Sequence, residues 1–396
     1  MSFNERIRLL VGLMTVVVFG AFIKTSFDLH ASNNIHIMSW KVSQITQTSN
    51  GLKRTENNDF KLGSENWPRR YTNEQNKSGV AFDKNPSRES ANASIASASN
   101  TSQKSWDKYR YPLDVDMVQL VRKLRSNLPV EYKPIFPYQY KFSHHRVDGC
   151  VEGSPLFIFL IKSALKHYRN RMAIRETWAN SMLMRKYNFI RMFLLGNPKK
   201  VKELSAIENE NDIHKDMVLM SFYDNYYNNT LKTIGAIHWT VTHCNRSRFV
   251  VFVDDDMLVS TSRLVDFLEN NVTLSIFFGG FIKKHRPIRG KRLKWYVPRD
   301  DYPHDEYPPM PSAGFMIMTI DFVIDLHFAS QYTKKFIYDD CYLGILAYKL
   351  HVSPVHMRRV HMRHIKDKAV YKSMIAAHGY SPSNLNLTWL ALQGVA

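Results

Sequence analysis

Three consecutive carboxylates, Asp254-Asp255-Asp256, follow directly on the apolar run Phe249-Val-Val-Phe-Val253. Adjacent carboxylates repel and raise one another's pKa unless positive charge lies between them. A hard divalent cation such as Mg²⁺ or Mn²⁺ meets that need, and it can bridge to a diphosphate while neutralising charge on a leaving group. An acidic loop in solvent is the plain alternative, and the buried-type strand before the triplet argues against it. Upstream, Arg171 and Arg175 stand one helical turn apart on one face. Their forked guanidinium groups suit a diphosphate or nucleotide, or else an ion pair with Glu176 or another acid that fixes the helix. Lys232 reads equally as a donor contact or a solvated helix residue. Trp178 reads as core.

The elements that must position these groups alternate in type. Leu156–Ile161 and Phe189–Leu195 read as buried strands, the second ending at Gly196, with Arg169–Met184 between them as a helix. Val201–Glu210 reads as a helix, Met217–Met220 as a short strand, and Thr230–His243 as a helix with Ile234, Ile237 and Val241 inward. Phe249–Val253 is then one more buried strand, and before all of these Leu113–Leu128 carries a helical apolar spacing. Such alternation predicts an α/β fold with a mostly parallel, doubly wound sheet. Ligands of such sheets bind beyond the carboxyl ends of the strands, where the triplet emerges.

The chain has 396 residues, 44% of them hydrophobic, ample for a large core. Its net charge of +19 attracts nucleic acid, anionic membranes or phosphorylated ligands alike. No basic–aromatic run or finger spacing accompanies it, which argues against nucleic acid as a partner. The three cysteines, Cys150, Cys244 and Cys341, allow at most one bridge within the chain and no four-cysteine zinc site. Arg6 and Arg8 flank the apolar run Leu9–Ile23, which closes at Lys24 and is long enough to span if Ile7 and Phe27 help, with no good small-residue cleavage site after it. This predicts a cytosolic tail over 1–8, a retained transmembrane signal anchor over 9–27 and a luminal remainder. From 28 to 110 the composition turns to Ser, Asn, Thr, Gln and Lys, which predicts a flexible stem; ordered structure is expected over 111–396. Sequons at Asn76, Asn92, Asn100, Asn228, Asn245, Asn271 and Asn386 agree with a luminal location.

The segment Arg171-Met-Ala-Ile-Arg175-Glu-Thr-Trp178 resembles the opening motif of the inverting β-1,3-galactosyltransferase and β-1,3-N-acetylglucosaminyltransferase family. In order there follow Phe193-Leu-Leu-Gly196, the block from Asp224 through Tyr226, Asn228 and Thr230 to Lys232-Thr233, the Asp triplet, Lys294-Trp295-Tyr-Val297, Tyr307-Pro308 with Gly314-Phe315, and Asp339-Asp340 with Tyr342 and Gly344. The resemblance covers about 156–379. It implies a nucleotide-sugar transferase (GT-A-like) fold, a UDP-sugar donor, a glycan acceptor on glycoprotein or glycolipid, Mn²⁺ as cofactor, and residence in the Golgi membrane. It leaves UDP-galactose, UDP-N-acetylglucosamine and UDP-N-acetylgalactosamine open as donors. By position it makes Asp340 the catalytic base, although Asp339-Asp340 also reads as the N-terminal cap of the helix Cys341–Leu350. It assigns Asp256 to direct metal contact and leaves Asp254 and Asp255 to the donor sugar or ribose and to metal-bound water. A histidine is to complete the metal shell, with His364 first and His361 second among His351, His356, His361 and His364. Trp295 and Tyr296 become candidates for stacking on a sugar or base, or for packing under their loop. The stretch Tyr307–Phe315 departs from the pattern, since it lacks a cysteine and is one residue shorter. A catalytically silent relative acting as a binding or chaperone-like subunit is the second reading; the retained carboxylates argue against it. A phosphohydrolase is the third, and the paired ligand motifs it needs upstream of the triplet are absent.

Overall fold

The structure, a computed structural model, describes residues 115–143, 150, 153–282 and 285–392. The expected tail, anchor and stem, and the sequons Asn76, Asn92 and Asn100, lie outside them. Among the described residues no helix is long and apolar enough to cross a membrane. The first half of the described chain contains α1 (Met117–Arg125), β1 (Phe142–Ser143), β2 (Phe157–Lys162), α2 (Tyr168–Glu176), α3 (Ser181–Tyr187), β3 (Phe189–Asn197), α4 (Val201–His214), β4 (Met217–Tyr223) and α5 (Asn229–His243). Then come β5 (Phe249–Asp254), β6 (Met257–Val259), α6 (Thr261–Asn271), β7 (Phe278–Ile282), β8 (Pro311–Thr319) and α7 (Ile320–Gln331). The last are α8 (Asp339–Lys349), β9 (Val355–His356), β10 (Val360–His361), α9 (Lys368–Tyr371), β11 (Ala376–His378) and α10 (Pro382–Leu392).

The main sheet has eight strands in the order β1-β4-β3-β2-β5-β8-β7-β9. Its centre, β4-β3-β2-β5, is parallel, while β8 runs antiparallel to both its neighbours. The fold is thus mixed α/β around a large sheet whose core is parallel. Central strands covered on both faces must be apolar throughout, and β2 is buried along its whole length. Its alternate residues divide between two cores: Phe157, Phe159 and Ile161 join Ile174, Trp178 and Phe193 on one face. On the other face α5 packs against β3, β4 and α7, and α7 against β5 and β8.

The helix expected over 169–184 is two helices. Thr177 leaves the helical backbone at φ −113° and ψ −115° while its hydroxyl donates to Ala173 O at 2.6 Å. Asn180 then caps α3 by accepting the Leu183 N–H at 3.0 Å. The break turns Trp178 fully into the core, edge-on to Phe159 at 5.0 Å, so packing of the largest side chain overrides helix continuity. Cys150 and Cys244 form the disulfide, and Cys341 is buried and unbridged. Without the cysteine expected near Tyr307–Phe315, that stretch holds by packing: Tyr302, Tyr307 and Phe336 meet with ring centres 4.8–5.9 Å apart.

Candidate active site

Strand pairing sets the first contact of the site. In the parallel ladder of β2 and β5, Lys162 falls opposite Asp254, so a cation and a carboxylate end adjacent strands side by side. Lys162 Nζ lies 3.1 Å from Asp254 Oδ1 and 2.9 Å from Asp339 Oδ2, and it donates to Ala313 O at 3.1 Å. Burial disfavours a charged lysine, but the two carboxylates more than reverse that and raise its pKa. Asp339 also accepts the Thr233 hydroxyl at 2.8 Å. Burial pushes its pKa up, yet the Lys162 charge and these hydrogen bonds hold it below the ordinary value. Asp254 is 34% exposed and shares Lys162 but lacks the Thr233 and backbone hydrogen bonds that Asp339 has. Burial, with the charges of Asp339 and Asp256, outweighs Lys162 and pushes its carboxyl up to about 6.

Around this pair stands a cleft of about 880 Å³ lined by the triplet, Ser163–Tyr168, Arg171 and Tyr226. Asp255 is buried and works as a clasp. It accepts from Ser163 Oγ at 2.6 Å and pairs with His167 Nδ1 at 3.0 Å, a hydrogen bond that raises the histidine's pKa. Arg171 is wholly buried: it forks onto Glu210 at 2.8 and 2.6 Å and donates to Ala164 O at 2.8 Å. Arg175 bridges Glu210 and Asp216 at 2.7 and 2.8 Å, and Arg191 holds the other side of Asp216 at 2.6 Å. Of the two roles read from the sequence for Arg171 and Arg175, the structure displays the ion pair, with Glu210 and Asp216 as the acids and not Glu176. Lys232 is not solvated: it lines the cleft from a buried position, donating to Ser163 O at 2.7 Å and Asp224 at 3.0 Å.

Asp256 lines the cleft and is also tied to the segment that follows β11. Its backbone carbonyl accepts the N–H groups of Gly379 and Tyr380 at 3.0 and 2.9 Å, and β6 pairs with β11 so that His378 falls opposite Met257. Gly379 makes the turn at φ +92°, a conformation that side-chain-bearing residues resist. The result sets His378 Nε2 at 3.1 Å from Asp256 Oδ2, and that hydrogen bond raises the histidine's pKa. Asp256 Oδ1 is buried with no hydrogen-bond partner. The imidazole beside Asp256 is therefore His378 and not His364, which is exposed and lies against the Tyr380 ring at 4.6 Å. His361 is in β10 and half-buried. Among the described residues no three His, Cys, Asp or Glu side chains converge as a metal cage.

Asp339 and Asp340 occupy the first turn of α8, where the helix dipole favours negative charge. Asp340 Oδ1 accepts the Cys341 N–H at 2.8 Å. Burial and then the Asp339 charge raise its pKa. The helix begins at Asp339 with Tyr338 at the N-cap and no side-chain cap bond, so neither aspartate is the expected cap; Asp339 is fixed by Lys162 and Asp340 is the more open of the two.

The galactosyltransferase family model matches residues 169–358. The beta-1,3-galactosyltransferase brn of Drosophila melanogaster is 35% identical over 260 residues, which cover 63% of this chain and 79% of that protein. The chain belongs to the galactosyltransferase family. Human beta-1,3-galactosyltransferase 1 is 29% identical over 263 residues, covering 66% of this chain and 81% of the relative. Among solved structures, the galactosyltransferase LgtC in complex with donor and acceptor sugar analogues aligns with a TM-score of 0.33 at 10% identity, over 60% of this chain and 93% of that one. Membership makes the chain a glycosyltransferase, and the matched span holds both the Asp triplet and Asp339-Asp340.

Sequence reasoning missed Lys162 and His378. A lysine closing a strand of five apolar residues signals the first, since a lysine buried there must meet acids. For His378 there was no local signal, because its partner is 122 residues away and a small sheet brings them together. Replacing Lys162 with Met should cost about 3–5 kcal/mol near pH 8, the usual result of stranding buried charge. The two acids would then titrate above their unfolded pKa values, so ionisation opposes folding at high pH and the deficit shrinks as the pH falls toward 5. Urea unfolding at both pH values checks this; a loss under about 1 kcal/mol and equal at both would contradict it.

Proposed function

We propose that this glycosyltransferase moves a hexose, galactose or an N-acetylhexosamine, from a UDP-sugar to a glycan acceptor in β-1,3 linkage with inversion, on a GT-A-like fold. The observation that carries this reading is the convergence of the β5 triplet and the α8 acidic pair on one ammonium, Lys162, at 3.1 and 2.9 Å. Inversion by direct displacement needs a leaving-group site and a base within one cleft. Asp340 is the base. Its carboxylate takes the proton of the acceptor hydroxyl as that oxygen attacks the anomeric carbon, and the bond from that carbon to the UDP oxygen breaks with its electron pair leaving on UDP. A carboxyl raised by burial and by Asp339 is a stronger base than an ordinary aspartate. Asp254, free on its cleft side and disposed to share a proton or hydrogen bond, is assigned to the donor sugar. Asp255 holds the Ser163–His167 loop against the donor.

Asp256 and His378 fit a divalent cation: a buried, unpartnered carboxylate oxygen beside an imidazole is an oxygen-and-nitrogen donor set that Mn²⁺ accepts. Two protein groups suffice where substrate phosphates and water complete the shell. When bound, such an ion neutralises charge on the departing diphosphate. Arg171 and Arg175, paired with acids, act by fixing the wall of the cleft. The N-terminal apolar stretch would anchor the protein in the Golgi membrane as a single-pass type II protein with this domain luminal. There the exposed Asn245 and Asn271 would be glycosylation sites, and the acceptor would be carried by glycoprotein or glycolipid.

Two outcomes follow. Asp340→Asn keeps the side-chain oxygen that accepts the Cys341 N–H, so its melting temperature and UDP-sugar affinity should stay near wild type while transfer falls roughly 10²–10⁴-fold; near-normal transfer would exclude Asp340 as the base. Asp256→Ala and His378→Ala should each weaken UDP binding in Mn²⁺ by at least about ten-fold without loss of folding, measured by calorimetry with and without EDTA. UDP affinity that ignores both substitutions and EDTA would exclude the cation site.

A further inference from the structure

Away from the cleft, two histidines on packed helices face each other beneath a crossing strap of chain. His238 of α5 and His327 of α7, both half-buried, bring their Nδ1 atoms to 3.3 Å, with ring planes 19° apart and centres at 5.0 Å. The strap is the segment that runs from α1 to β1. Its Tyr138 ring lies 4.6 Å from that of His238, and its Phe142 ring stacks on the same imidazole at 5.8 Å. Gly235 makes room on α5 for this crossing, since a Cβ there would stand 2.7 Å from the Tyr138 hydroxyl oxygen. The Ile135 and Phe136 N–H groups both donate to Gln331 O at 2.9 and 3.0 Å. Gln331 Nε2 in turn donates to His327 O at 3.2 Å and lies 3.5 Å from His327 Nε2. One residue of α7 thus touches both the imidazole pair and the strap's backbone.

The geometry admits few protons. A neutral imidazole carries one N–H and one bare nitrogen, so one Nδ1–H donates to the facing Nδ1 while both rings are neutral. A first added proton sets a charge between the helices, and a second turns two N–H groups face to face. Burial, then the charge of His243 on α5, lowers the His238 pKa to about 4; burial, then His238, lowers that of His327 to about 3. The strap supplies Tyr138, whose phenol burial holds above its ordinary pKa, and α7 supplies the Phe328 ring. The α7 acids Asp321 and Asp325 are taken by Arg125 of α1 at 2.8 and 2.6 Å. Both imidazoles thus titrate below the ordinary 6.5. The stability of the neutral pair is therefore fully present above about pH 6.5 and is lost as the pH falls from there toward about 4. Burial raises the Asp325 pKa, which works in the opposite sense, so acid sensitivity here belongs to the histidines.

We propose that His238 and His327 form an acid-sensitive latch, which docks the strap across α5 and α7 near neutral pH and releases it on acidification. The latch stands apart from the transferase reading. On release β1 leaves the edge of β4, which it pairs through Phe142 and Ser143, while the Cys150–Cys244 disulfide keeps the chain tied to the end of α5. Hydrogen exchange followed by mass spectrometry, corrected for intrinsic rates, tests this on the full-length chain in detergent at about pH 7.5 and about pH 5.5. Protection of the peptide carrying Ile135 and Phe136 should fall at least about ten-fold at the lower pH, while β2 and β5 change less than about three-fold. His327→Gln keeps an amide donor for His238 Nδ1 and takes up no proton, so it should leave a loss several-fold smaller. His238→Phe combined with His327→Gln should leave less than about two-fold. If the double variant does not fold, the single one decides. Wild-type protection equal at both pH values, or a loss in His327→Gln as large as in wild type, overturns the latch. A parallel loss in β2 and β5 also overturns it, because that marks acid unfolding of the whole domain.

Discussion

One buried ammonium organises this site. Lys162 ends a central strand among carboxylates contributed by β5 and by α8, segments 85 residues apart in the chain. Neither acid cluster could be held near the other without it, because ionised carboxylates at such separations repel strongly in a partly dry cleft. The parallel register of β2 and β5 places the lysine, and the dipole of α8 helps to hold the acid it meets. Asp339 is stabilised as an anion by this arrangement, while Asp254 and Asp340 keep raised pKa values. Environments that push neighbouring carboxyls apart are those in which acid and base roles separate.

The wall beside the donor cleft follows a different logic. Arg171, Arg175 and Arg191 meet only two acids, Glu210 and Asp216, across α2, α4 and β3. The planar fork of arginine binds two carboxylate oxygens at once, which fixes orientation where a lysine would only neutralise. Such a network contributes little net stability when fully formed, but removal of one member leaves buried charge exposed to its like. Its function here is rigidity: the Ser163–Tyr168 loop hangs from Arg171 through the carbonyls of Ala164 and Leu165 and from Asp255 through Ser163 and His167.

Much of this was readable from residue types. Apolar runs of strand length placed β2, β3 and β5 to within a residue or two, because such runs fit only a doubly covered sheet. The triplet's place at a carboxyl end followed at once. What the sequence did not reveal depended on distant partners. The break between α2 and α3 came from Trp178 seeking the core. The partners of Arg171, Arg175 and Lys232 are acids elsewhere in the chain, and a charge pattern along one helix does not say which acids those are. His378 belongs to a strand of three residues, too short for any periodicity, and its contact with Asp256 joins segments 122 residues apart.

The central claim is that one cleft, with Asp256 and His378 on the donor side and Asp340 on the acceptor side, inverts the sugar it transfers. The most direct measurement is proton NMR of the full-length chain with Mn²⁺, an oligosaccharide acceptor and each of UDP-galactose, UDP-N-acetylglucosamine and UDP-N-acetylgalactosamine. It follows the anomeric signal as the α-linked donor is consumed. The account predicts a new β-anomeric doublet with the large coupling of two axial protons and a β-1,3 connection to the acceptor. An α-linked product would contradict it.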